Sequence, residues 1–89
     1  MAHADAQALA TVLPLLRQLR DMKGLTEKGP GIFYCKGSAF VHFHVQDGAV
    51  VADLKTTRGT GFDRYPLDTP PAQRKLLDDA RRLARQDED

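Results

Sequence analysis

The sequence predicts an α+β fold, a two-layer sandwich in the order α-β-β-β-(β)-α, with an antiparallel sheet carrying both helices on one face. Three observations predict it. Apolar residues recur at helical spacing near both ends of the chain, runs of Val, Phe, Ile and Tyr fill the middle, and two-residue turn signals punctuate those runs. Helices with one apolar stripe each need a shared apolar surface, and one face of an antiparallel sheet supplies it. A chain of 89 residues holds one core, so residues 1–89 read as a single domain.

The first helix is expected over residues 5–23. Leu9, Val12, Leu13, Leu16 and Leu19 recur at steps of three and four, with Gln7, Arg17, Gln18, Arg20 and Asp21 between them, and Gly24 suits the position after its end. Pro14 interrupts this pattern because it removes a backbone donor and crowds the preceding turn. Either the helix kinks there, which is the favoured reading, or it starts afresh with Thr11 as its cap and Pro14 in the first turn.

An antiparallel sheet follows over residues 31–65. Its strands are 31–35, 39–46 and 49–55, separated by Gly37-Ser38 and Asp47-Gly48, with a shorter fourth at 61–65 that Pro66 ends. The last helix spans 70–86. Thr69 caps it, Pro70 fits the first position, and Leu76, Leu77, Ala80, Leu83 and Ala84 form its buried stripe. Residues 87–89 form an acidic tail.

The turn at Asp47-Gly48 sets a register. Gln46 pairs with Ala49, Val45 with Val50, His44 with Val51, Phe43 with Ala52, His42 with Asp53 and Val41 with Leu54. Alternation then divides the side chains. Val41, Phe43, Val45, Val50, Ala52 and Leu54 make an apolar core face, while Phe40, His42, His44, Val51, Asp53 and Lys55 share the second face. A two-residue loop at Gly37-Ser38 pairs Cys35 with Phe40 and Phe33 with His42, adding Phe33 and Cys35 to that second face. A three-residue bulged loop would instead exchange them for Ile32 and Tyr34. In either register an aromatic ring lies near His42.

Charge and composition exclude several function classes. Thirteen Lys and Arg against 12 Asp and Glu give a net charge of +1, without the surplus that non-specific nucleic-acid binding uses. On the last helix Arg74 and Asp78, Lys75 and Asp79, and Asp78 and Arg82 are each four apart, so the basic residues there pair along a solvated face. The start of the chain carries no basic stretch ahead of an apolar run, and no segment approaches the roughly 18 apolar residues of a membrane helix. The single cysteine, Cys35, suits a reducing compartment, and the cytoplasm is the expected location.

The second face carries the chemistry. His42 and His44 flank Phe43 and project from one side of a strand, about 6 to 7 Å apart at their Cα atoms. Two imidazoles at that separation can reach one divalent metal ion, with Asp53 as third ligand or as the acceptor that fixes a tautomer. The plainer reading is a cross-strand His42–Asp53 hydrogen bond with His44 in a half-buried polar site. Cys35, His42 and Asp53 supply the residue types of a thiol nucleophile, base and orienting carboxylate. No turn or helix start is placed to stabilise an oxyanion, so a buried structural cysteine is the simpler reading and no catalytic residue is assigned. The loop 56–61 is rich in Thr and Gly, yet it lacks a phosphate-binding Gly-Lys-Ser/Thr ending and reads as a connection. Met1-Ala2-His3 has the pattern of an amino-terminal copper chelate, which removal of Met1 would abolish.

The run Ile32-Phe33-Tyr34-Cys35-Lys36-Gly37-Ser38-Ala39-Phe40-Val41-His42-Phe43-His44, with Ala52-Asp53-Leu54-Lys55 and Phe62-Asp63-Arg64, resembles a phrase in a family of small bacterial proteins of unknown function. The likeness covers about residues 30–77, brings no activity with it, and implies a single α-β-α unit of bacterial origin. A looser similarity is to small α/β domains of the MmcQ/YjbR type.

Together these readings predict a non-enzymatic domain, without a required cofactor, that binds a protein partner or a second copy of itself. The binding surface is the face built from Phe33, Cys35, Phe40, His42, His44, Val51 and Asp53. The alternative is a metal or small-ligand site on His42, His44 and Asp53.

Overall fold

The computed structural model describes residues 2–55 and 61–86. A short strand β1 (Ala2–His3) leads into helices α1 (Ala6–Ala10) and α2 (Leu13–Arg20), then strands β2 (Leu25–Gly29), β3 (Ile32–Cys35), β4 (Ser38–Gln46), β5 (Ala49–Lys55) and β6 (Phe62–Pro66), and helix α3 (Pro70–Gln86). The sheet is antiparallel in the order β2-β3-β4-β5-β6. β1 pairs with the end of β4, opposite His44 and Val45, in the row that β3 leaves open. The α+β class is as the sequence predicts, and one sheet face carries the helices. The loop 56–60, Met1 and the acidic tail 87–89 lie outside the described residues.

The expected helix over 5–23 is two helices. Asp5 caps α1 by accepting from Ala8 N at 2.8 Å, and the Thr11 hydroxyl donates back to the Ala8 carbonyl at 2.6 Å, closing that helix. α2 restarts with Val12, not Thr11, at its cap and Pro14 in its first turn, where a missing N–H costs little. The restart changes the helical phase: Leu15 is fully buried, whereas Leu13 is only half-buried. The helix also ends at Arg20, and Gly24, at φ +93°, turns the chain into β2.

β2 is a strand the sequence does not announce, since only Leu25 among its residues is a large apolar side chain. Pro30-Gly31 joins it to β3, with Gly31 at φ +72° and a Cβ there falling 2.9 Å from Leu9 Cδ2. A side chain there would be strained by that φ and would push against Leu9. Glu27 ties this edge to α2: it accepts from Arg20 Nε at 2.6 Å and Arg20 Nη2 at 3.2 Å, and from Gly31 N at 3.0 Å.

The β4–β5 register is the expected one at all six pairs, with Asp47 and Gly48 both at positive φ in the turn. The β3–β4 hairpin differs. Its turn is Lys36-Gly37, also with both residues at positive φ, so Cys35 pairs with Ser38. The register then slips at Phe40, which has no partner of its own, and Phe33 lands opposite Val41. The core joins Phe33, Cys35, Phe40, Val41, Phe43, Ala52 and Leu54 to Leu9, Val12, Leu15, Leu16 and Leu19 and to the expected α3 stripe. Thr69 caps α3 by accepting from Ala72 N at 3.2 Å. On its surface Asp79, not Asp78, gathers the cations: Lys75 and Arg82 each reach it at 3.3 Å, while Arg81 pairs with Asp78 at 3.5 Å.

Candidate functional site

Phe33, Cys35 and Phe40 do not belong to the second face. They are 0, 5 and 2% exposed and lie in the core, because the turn sits one residue earlier than expected and the bulge absorbs Phe40. Ile32 and Tyr34 take their places on the outer side, both half-buried, with Lys28 Nζ 5.1 Å from the Tyr34 ring centre. Cys35 is therefore separated from His42 and Asp53 by the sheet, and no thiol–imidazole–carboxylate arrangement forms.

His42, His44, Val51 and Asp53 stand where the sequence puts them. Cross-strand partners line up as Ile32, His42, Asp53 and Arg64 over four adjacent strands. His44, one step along β4 from this row, makes the imidazole contacts, so Asp53 is met diagonally by His44 rather than straight across by His42. His42 Nδ1 lies 2.5 Å from His44 Nε2, and His44 Nε2 lies 3.2 Å from Asp53 Oδ2. The imidazole planes are perpendicular, with centres 4.5 Å apart. The donor atoms of His42, His44 and Asp53 all fall within 4.8 Å of one another.

β6 adds what the sequence reading missed. Arg64 grips Asp53 with two parallel bonds, Nε to Oδ1 at 2.9 Å and Nη2 to Oδ2 at 3.2 Å, and donates from Nη1 to Gln46 Oε1 at 3.1 Å. The Phe62 ring packs edge-on against His42, with centres 4.8 Å apart, and stays 43% exposed. Phe62 and Arg64 share one parity on β6, which is the signal that could have placed them together. Six residues separate the paired Lys55 and Phe62, and no two-residue turn signal in that stretch fixes their register against β5.

Asp53 is 7% exposed, and it is the buried charged residue among those described. Burial pushes its carboxyl up. The Arg64 hydrogen bonds and charge, with the two imidazoles behind them, outweigh burial and hold it below the usual carboxylate range. Asp53 is thus kept ionised, the form in which a carboxylate binds a cation. No family model matches the chain, no curated protein matches its sequence, and no solved structure matches its fold.

Proposed function

We propose that the second sheet face is a binding site for a divalent first-row transition-metal ion, held by His42, His44 and Asp53. The observation that carries the reading is the convergence of two imidazole nitrogens and one ionised carboxylate within 4.8 Å. Donors around one tetrahedral ion, at about 2.0–2.2 Å from it, lie roughly 3.3–3.6 Å apart, so small side-chain rotations suffice. Two nitrogens and one oxygen favour zinc, nickel or iron(II) over calcium or magnesium, which take oxygen ligands. Arg64 steadies the carboxylate, and Gln46 accepts from Arg64 in turn. The reading also gains because Phe33 and Phe40 are in the core: much of the apolar area that favoured a protein partner is not on this face.

Zinc titration by calorimetry tests it. One ion per chain is expected, and His44→Ala should weaken binding by about 100-fold or more, since a direct ligand is worth at least what its hydrogen-bond partners are. Heat signals that are the same in both proteins would sink the proposal.

A second reading, that another copy of the chain seats on this face, is favoured by Phe62, exposed at its edge beside half-buried Ile32, Tyr34 and Val51. A net charge of +1 sets up little repulsion between copies. A sedimentation mass of a monomer at tens of micromolar, unmoved by Phe62→Ser, would exclude it.

A further inference from the structure

We infer that the metal site takes a small carboxylate as its exogenous ligand, one oxygen on the ion and the other on Arg64. The inference rests on the metal reading above and names the chemistry of what that site would bind. Charge comes first. Ligating imidazoles are neutral, so a divalent ion and the Arg64 guanidinium would share only the Asp53 carboxylate between them. That leaves an excess of two positive charges on a half-buried face, and an anion placed between the two cations relieves it.

Distance selects the kind of anion. Asp53 Oδ2 is the oxygen turned toward His44, and Arg64 Nη2 lies 3.2 Å from that same atom. An ion about 2.1 Å from Oδ2 can then be no more than about 5.3 Å from Nη2. A carboxylate spans such a gap, with one oxygen bound to the ion and the second accepting from the guanidinium, whose planar donors match its geometry. Three of the five Arg64 donors are engaged, by Asp53 and Gln46, and the side chain remains 37% exposed, so two N–H groups are left for a ligand. Phe62 stands over His42 as an apolar wall for the aliphatic part of the ligand.

Cobalt(II) is the probe ion, because its visible spectrum reports changes in the ligand set, and acetate is the probe anion at ionic strength held constant with perchlorate. The cobalt-loaded protein is expected to show a saturable spectral change with acetate. Acetate should also tighten cobalt binding by about fivefold, the reciprocal effect that linkage requires. Arg64→Gln should raise the acetate half-saturation about tenfold, with Arg64→Lys recovering part of the loss, since lysine restores charge without the fork. A spectrum indifferent to acetate, or the same half-saturation in Arg64→Gln, overturns the inference while leaving the metal reading standing. If Arg64→Gln does not fold, the wild-type linkage decides alone, and a cobalt affinity unmoved by acetate overturns the inference. Cobalt that fails to bind at all overturns both.

Discussion

Phe40 occupies one more position on β4 than β3 can match, and that single extra residue decides which side chains face the core. With the turn at Lys36-Gly37, Cys35 meets Ser38, and the slip at Phe40 brings Phe33 opposite Val41, where its ring lies 6.5 Å from that of Phe43. Lys36 carries the cost of this turn, a non-glycine residue at φ +53°, and Gly37 completes it at +82°. Neighbouring residues on β3 should therefore respond very unequally to truncation. Phe33→Ala empties a fully buried ring site and is expected to cost about 3–5 kcal/mol. Tyr34→Ala removes a half-buried side chain and a lysine contact, and about 1 kcal/mol is expected. Urea denaturation of the two variants checks the register, and a larger loss at Tyr34 than at Phe33 would refute it.

Elements differ in how far they can be read without a structure, and the difference follows from what fixes each one. The pairing of Val41–Gln46 with Ala49–Leu54 is legible because a tight Asp47-Gly48 turn and side-chain alternation determine one register, whereas Phe40, just before it, is displaced by the bulge. The α3 cap and stripe are legible for the same kind of local reason. β2 is not, because an edge strand that is half charged and polar looks like a loop, and such residues are what protects an edge from further pairing. In the candidate site His42, His44 and Asp53 were visible as a His-x-His phrase opposite a carboxylate. Arg64 and Phe62 were not, since β6 is placed by long-range pairing and by its tie to α3. That tie is the Tyr65 hydroxyl, which donates to Asp79 Oδ2 at 2.6 Å. Burial first, then the Asp79 hydrogen bond and charge, push the Tyr65 phenol well above its ordinary value near 10. Its folded pKa is raised, so the stabilisation is whole below pH 10 and drains away above it, as the unfolded chain ionises and the folded one does not. Wild type should lose roughly 1 kcal/mol between pH 10 and 11 that Tyr65→Phe does not lose. Denaturation midpoints at the two pH values measure this, and equal alkaline losses in both proteins would exclude Tyr65 as the cause.

On the scale of the whole molecule, the sheet divides the labour between its faces. All three helices bury their apolar residues on the side of Val41, Phe43, Ala52 and Leu54. No helix among the described residues is long and apolar enough to cross a membrane. The opposite side holds the polar row, and its members come from β4, β5 and β6. In the unfolded chain these donors are 11 residues apart across one turn, and 11 more separate Asp53 from Arg64. An ion that needs them together would bind the native state far better than the unfolded one, and its binding energy would become folding energy. At a free zinc concentration of about 100 times the dissociation constant this amounts to about 2.7 kcal/mol. For a chain of this length each kcal/mol moves the thermal midpoint by about 4–8 °C, so zinc should raise it by roughly 10–20 °C, and a chelator should reverse the rise. Asp53→Asn removes the ionised donor while keeping the shape of the side chain. Its own midpoint falls because Arg64 loses its partner, so the quantity to compare is the zinc-dependent rise within each protein, not the midpoints themselves. The rise should shrink to a few degrees in Asp53→Asn and in His44→Ala. A rise of equal size in wild type and both variants would place zinc elsewhere on the chain and leave His42, His44, Asp53 and Arg64 as a purely structural hydrogen-bonded row.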